Sequence, residues 1–141
     1  LFSDGTLDSN AAVVARAVLD QGTDGDDTIT GTAFADIIDG GLGNDTISAG
    51  SGDDFITGGL GDDTLTGSYG SDQFIFAADD GDDVITDFAD GTDFIVFTTP
   101  GLTENDIQID TMSGDTVVNY GVDSSITVNN TVLTIDDFLF A

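Results

Sequence analysis

Between Gly22 and Ile75 the sequence repeats every nine residues. The units are GTDGDDTIT (22–30), GTAFADIID (31–39), GGLGNDTIS (40–48), AGSGDDFIT (49–57), GGLGDDTLT (58–66) and GSYGSDQFI (67–75). The sixth residue is always Asp: Asp27, Asp36, Asp45, Asp54, Asp63 and Asp72. The eighth is always large and apolar: Ile29, Ile38, Ile47, Ile56, Leu65 and Phe74. A unit with one apolar side chain can bury it only against its neighbours, so a strict short period leaves little choice but a solenoid.

The first six residues of each unit are turn-formers, with Gly where a side chain would forbid a positive φ or crowd a ligand. The last three, as in Thr64-Leu65-Thr66, alternate polar, apolar, polar, which makes one short strand with one inward residue. Two units form a coil of 18 residues, and coils stack as parallel strands about 4.8 Å apart. The resulting aliphatic core is thin, about 10 Å between facing sheets, and cannot by itself offset the entropy of ordering Gly-rich turns. Stacking brings alternate units into register. Asp27, Asp45 and Asp63 then line one edge, and Asp36, Asp54 and Asp72 the other.

Composition sharpens the difficulty. One basic residue, Arg16, stands against 28 acidic ones, for a formal charge of −27. Glu104 is the only Glu, so the acids are nearly all Asp, the short ligand of tight turns rather than the mixture expected of an acidified surface. With 19 Gly, such charge ordinarily means disorder, yet 39% of residues are hydrophobic. The apolar half is present but cannot collapse while the carboxylates repel one another, so a cation is missing from the chain. One Arg cannot assemble a basic patch, so nucleic acid is not expected as a partner and anionic membrane surfaces are poor ones. The absence of Cys and His excludes disulfides, thiolate and imidazole metal sites and His-dependent catalysis. No apolar run is long enough to span a bilayer. The start at Leu1, without a leader, reads as a piece of something longer.

Each edge offers only hard oxygens, carboxylate and turn carbonyl, a donor set that suits calcium. Three loops per edge leave two gaps, so about four interior ions are expected. The units resemble the pattern G-G-x-G-x-D-x-U-x of the RTX, or haemolysin-type calcium-binding, repeats over 22–75. The resemblance implies an all-β, right-handed parallel β-roll. It also implies that odd-position carbonyls of one loop share each ion with even-position carbonyls and the sixth-position Asp one coil away. For one gap this assigns Gly40, Leu42 and Asn44 with Gly59, Gly61 and Asp63, in either order. Along the same edges it marks Gly22, Asp24, Asp26, Asp27, Gly41, Gly43, Asp45 and Asp62. On the other edge it marks Asp36, Ala49, Gly50, Ser51, Gly52, Asp53, Asp54, Ser68, Gly70 and Asp72. Phe34 and Ala35 depart from the pattern beside Asp36, and Phe74-Ile75-Phe76 starts a fatter strand.

The expected organisation is an N-terminal helix or cap (1–21), the roll (22–76) and an antiparallel β cap (77–141). A helix is expected from Asn10 to Asp20, either plugging the first coil or ending an upstream domain. Beyond residue 76 the G-x-D-x-U core persists at Gly81, Asp83, Ile85 and at Gly91, Asp93, Ile95. One or two further ions are expected at Asp82 or Asp83, facing Asp63. Strands are expected at Thr116 to Tyr120, Ser125 to Val128 and Val132 to Ile135. The terminus TIDDFLFA looks like the uncleaved signal of RTX proteins exported by type I systems, and equally like a last strand packing Phe138 and Phe140.

The resemblance implies an extracellular, monomeric bacterial module that binds calcium and passes through a type I secretion apparatus. At calcium affinities of about 10⁻⁴–10⁻³ M its sites would be empty in the cytosol and filled outside. At tenfold excess over the dissociation constant each site contributes roughly 1.4 kcal/mol, four about 6, the scale of a domain's stability. The alternative is a calcium-dependent polysaccharide-binding module, with Thr28, Thr30, Thr46, Thr64, Thr66, Tyr69 and Tyr120 forming a flat polar face. Those residues also suit plain outward strand positions. No catalytic residue or organic cofactor site is assigned, since H-E-x-x-H and G-x-S-x-G are both missing.

Overall fold

The computed structural model describes residues 16–18 and 22–140. Their strands, numbered β1 to β13 along the chain, form two facing sheets and alternate between them from β1 to β9. One sheet holds β1 (Arg16–Val18), β3 (Ala35–Leu42), β5 (Phe55–Leu60), β7 (Gln73–Phe76), β9 (Phe94–Phe97) and β13 (Phe138–Phe140), in that order and parallel throughout. The other stacks β2 (Thr28–Thr30), β4 (Thr46–Ser51), β6 (Thr64–Tyr69), β8 (Asp82–Ile85) and β12 (Ser124–Val128) in parallel. It ends with β11 (Asp115–Tyr120) and β10 (Gln108–Met112), which run antiparallel. The fold is the expected parallel β-roll.

The eighth-position side chains form two facing files. Ile29, Ile47, Leu65 and Ile85 lie in register on one sheet, followed by Val128. Ile38, Ile56, Phe74 and Ile95 lie in register on the other, followed by Phe138. Ile29 is half-buried at the start, whereas the next seven repeat positions, through Ile95, are fully enclosed. Toward the C-terminal end the core widens into an aromatic cluster, with Phe97 against Tyr120 at 4.9 Å and stacked on Phe138 at 6.0 Å between ring centroids.

The coils stay in register because turn glycines adopt left-handed backbone. Gly61 has φ 130°, and a Cβ there would collide with the carbonyl of Gly43 one coil earlier. Ser68 takes the same region with φ 75° where the three preceding units have Gly. Its N–H and that of Gly67 both donate to the Asp87 carboxylate, at 2.7 and 2.9 Å.

Three expectations are corrected. Arg16–Val18 are not helical: they form β1, paired with Ala35, Asp36 and Ile37 of β3. Pairing with β3 outweighs local helix propensity because it covers an otherwise bare sheet edge. The rest of the 10–20 segment lies outside the described residues. Val132–Ile135 are not a strand. Thr134 caps a 3₁₀ turn over Ile135–Asp137, with its N–H donating to Asp137 Oδ2 at 2.7 Å, and only Phe138–Phe140 return to the sheet. Tyr120 is no part of an outer face, because alternation along β11 sends Thr116, Val118 and Tyr120 inward. Parallel stacking also runs past residue 76 through β8 and β9, and the antiparallel pairing is confined to β10–β12. No helix among the described residues is long and apolar enough to cross a membrane.

Candidate metal centre

Strand register places each sixth-position Asp directly over its counterpart one coil away, and the backbone joins them. The N–H of Asp27 donates to Asp45 Oδ1 at 2.8 Å, that of Asp45 to Asp63 Oδ1 at 2.7 Å, and that of Asp63 to Asp83 Oδ1 at 2.9 Å. On the opposite edge Asp36 donates to Asp54 at 2.7 Å, Asp54 to Asp72 at 3.0 Å, and Asp72 to Asp93 at 2.9 Å. Each carboxylate reaches back one coil with one oxygen. The other oxygen, Oδ2, is buried and has no hydrogen-bond partner in Asp45, Asp54, Asp63, Asp72 and Asp83.

Five buried carboxylate oxygens without donors are costly, since a desolvated anion needs a compensating partner. The cost appears in the acidities. Burial, opposed by the backbone hydrogen bond and reinforced by neighbouring carboxylates, pushes Asp63 up to about 6, Asp72 to about 7 and Asp83 to about 8. Asp45 and Asp54 are raised for the same leading reason. The space beside Oδ2 is narrow: a Cβ on Gly40 would strike Asp45 Oδ2 and, at 2.5 Å, the carbonyl of Gly58. A carboxylate oxygen and a carbonyl from the next coil thus converge on a cradle that Gly keeps open. Among the described residues no group of three or more acidic side chains gathers by itself. Backbone carbonyls must complete any ligand set, and a carbonyl that accepts one N–H, as Leu60 does from Gly43, keeps a second lone pair. Buried, unpaired, all-oxygen donors fit a hard divalent cation such as calcium.

The fifth positions form a second ladder of opposite sense. Asp26 Oδ1 accepts the N–H of Asn44, Asn44 Oδ1 that of Asp62, and Asp62 Oδ1 that of Asp82, at 2.8, 3.0 and 3.0 Å. Asp53 accepts from Ser71 at 2.9 Å. These groups are exposed and brace adjacent turns. Asp24 and Leu42 are exposed on their turns, while Gly22, Gly41, Gly43, Gly50, Ser51, Gly52, Gly59 and Gly61 are half-buried along the edges. Gly40 and Ala49 are buried, and Ser68 and Gly70 exposed.

Sequence reasoning missed how the ladders end. Thr23 and Thr32 hold Asp27 and Asp36, respectively, through both N–H and hydroxyl, so Oδ2 in the first coil is satisfied by its own turn. At the far end Asp93 Oδ2 accepts the N–H of Ala89 at 2.8 Å. Thr in place of the second Gly was the available signal for the first. Asp80 was also missed: it is buried, and its Oδ2 accepts the N–H of Ala77 in the longer turn before β8.

The family description "RTX calcium-binding nonapeptide repeat (4 copies)" matches residues 21–56 and 48–85. Residues 21–85 carry RTX calcium-binding repeats wound as a parallel β-roll. Among solved structures, the roll resembles the extracellular lipase LipA of Serratia marcescens, with 27% identity and a TM-score of 0.69 over 85% of this chain. The chain spans only 20% of that lipase. It also resembles the AlgE6R2 subunit of the Azotobacter vinelandii mannuronan C5-epimerase, with 28% identity and a TM-score of 0.70 over 86% of this chain and 91% of that one. The AlgE6R3 subunit, at 24% identity and TM-score 0.69, covers 99% of this chain and 87% of its own and shares the fold. No curated protein sequence matches the chain.

Proposed function

We propose that the chain is a calcium-dependent folding module, loose without the ion and a rigid roll with it, that stabilises or displays a larger secreted protein. The observation that carries this reading is the buried, unpaired Oδ2 of Asp45, Asp54, Asp63 and Asp72, two on each edge. Calcium supplies the positive charge and oxygen ligation that a chain of charge −27 lacks. The Asp side chains, with turn carbonyls such as Gly40, Leu42, Asn44, Gly59 and Gly61, hold it, and the same groups tie each coil to the next. Binding energy here is folding energy. The pairing supports about four interior ions, two per edge. Weak sites of this kind remain empty at cytosolic calcium, so the chain stays threadable for a type I exporter and sets only outside the cell. The C-terminal TIDDFLFA segment serves as the export signal and afterwards packs Phe138 into the core. No residue of the roll is assigned a catalytic role.

The test is far-UV circular dichroism through a calcium titration, with magnesium as control. The reading expects a coil spectrum in chelator, a cooperative gain of β signal with calcium, and little response to magnesium. An equal gain with magnesium, or none with calcium, removes it.

A second reading is a calcium-dependent polysaccharide-binding face. It is favoured by the likeness to subunits of an enzyme named for mannuronan, and by the outward Thr28, Thr30, Thr46 and Tyr69. A glycan array with and without calcium separates the two: binding only with calcium supports the face, and silence in both conditions eliminates it.

A further inference from the structure

Three of the four carboxylates that end the two ladders are closed by their own turns: Asp27 by Thr23, Asp36 by Thr32 and Asp93 by Ala89. Asp83 is not. It is 2% exposed, its Oδ1 accepts from Asp63, and its Oδ2 is buried without a donor. The next strand in the sheet, β12, offers no further Asp, because Ile126 lies opposite Asp83. In place of another RTX turn, the β11–β12 hairpin brings in Tyr120 and Ser124, which face each other across it.

Both hydroxyls are orphans. Tyr120 is 2% and Ser124 5% exposed, and neither Tyr120 Oη nor Ser124 Oγ makes a hydrogen bond of acceptable geometry, although the two lie side by side. Burial pushes the phenol pKa up, and Asp83 leads its charged neighbours, followed by Asp80. Buried oxygens of Asp83, Ser124 and Tyr120 therefore lie on three neighbouring strands, β8, β12 and β11, and the buried Asp80 carboxylate also acts on the phenol. A cavity of about 360 Å³, lined in part by Tyr120, Ser124 and Asp82, adjoins the hairpin side of this corner.

We infer that this corner is a terminal cation site, distinct from the repeat sites, in which Tyr120 Oη and Ser124 Oγ take the place of the missing next turn around Asp83. The inference rests on the calcium reading of the ladder and adds donors that the nonapeptide pattern does not supply. The hydroxyls are brought in by the β11–β12 hairpin, so the site fills only after the roll and the hairpin have formed. Its occupation fastens the C-terminal hairpin to the last coil, because its ligands come from β8, β11 and β12.

Terbium(III), a luminescent substitute for calcium excited through tyrosine, tests this directly. The chain has no Trp and two Tyr, and Tyr69→Phe leaves Tyr120 as the sole sensitiser. The expected result is sensitised emission in Tyr69→Phe, with a midpoint about tenfold weaker or more when Ser124→Ala is added. In parallel, equilibrium dialysis with calcium should show one ion fewer in Tyr120→Phe/Ser124→Ala than in the parent chain. An unchanged midpoint for Ser124→Ala together with an unchanged ion count overturns the inference and leaves these hydroxyls to a buried water. If the double variant does not fold, Ser124→Ala alone decides by the same dialysis. Failure of the underlying calcium reading looks different: the parent chain itself would bind no calcium and gain no sheet signal.

Discussion

The main-chain N–H of Asp63 donates to Oδ1 of Asp83, 2.9 Å away and 20 residues later, while Oδ2 of both side chains stays buried without a partner. One oxygen ties coils together through the backbone; the other awaits a cation. Asp63→Asn separates the two roles, since the amide oxygen still accepts from Asp45 but the NH₂ that replaces Oδ2 cannot ligate calcium. The calcium midpoint of the folding transition should rise about tenfold or more. In chelator the variant should be no less structured than the parent, having lost one repulsive charge. Paired circular dichroism titrations of variant and parent check both statements.

Acidity follows from the same oxygens. Without metal, burial pushes Asp63, Asp72 and Asp83 up from the ordinary 3.8 to about 6, 7 and 8, because it disfavours their charged forms. The folded state then holds more protons than the unfolded one. Metal-free stability is therefore greatest below pH 3.8 and is lost as pH rises through about 6 to 8. Calcium competes with those protons, so its affinity should weaken as pH falls through the same window. Chelated samples should gain β signal on acidification and calcium midpoints should climb; a pH-independent midpoint between 6 and 8 contradicts the assignment.

The backbone makes its own prediction at Ser68 and Gly61. Ser68 holds φ 75°, a conformation that disfavours a side chain, whereas its N–H bond to Asp87 needs none. Ser68→Gly should stabilise the calcium-loaded roll by about 1 kcal/mol. Gly61→Ala, with its Cβ driven into the Gly43 carbonyl, should destabilise by more than that. Thermal melts at saturating calcium measure both, and a Ser68→Gly variant that melts below the parent refutes the strain argument.

At the first coil, Thr32 holds Asp36 where the turns of Asp45, Asp54, Asp63, Asp72 and Asp83 leave Oδ2 open. Thr32→Ala keeps the N–H bond and removes the hydroxyl, which should cost about 1 kcal/mol. The loss should be confined to the first coil, seen as faster hydrogen exchange of the β2 and β3 amides with β5 and β6 unchanged.

The nine-residue period made the roll, its two apolar files and the interior Asp ladders legible in advance, because each depends only on which residues recur in register. Legibility faded where the period stretched. Asp83 and Asp93 continue the ladders at offsets of 20 and 21 residues, since the turn before β8, held by the Asp80–Ala77 bond, and then the turn before β9 both carry extra residues. Tyr120 was misplaced although the parity of Thr116 and Val118 points it inward; only the pairing of β12 on β8 fixes which parity faces the core. The expected helix failed at Arg16–Val18 because pairing with β3 is a tertiary gain that local sequence does not carry. The reverse ladder of Asp26, Asn44 and Asp62 was hidden for another reason: Asp in the fifth position looks the same whether it braces a turn or binds an ion.

The central claim is that cations, more than the aliphatic files, hold the coils together. Amide hydrogen exchange at Ile47, Ile56 and Leu65, whose side chains are fully buried, tests it most directly. The account predicts strong protection at these amides in calcium and near-complete loss of it in chelator at neutral pH. Equal protection in both conditions would show that the apolar core suffices, and the account would be wrong.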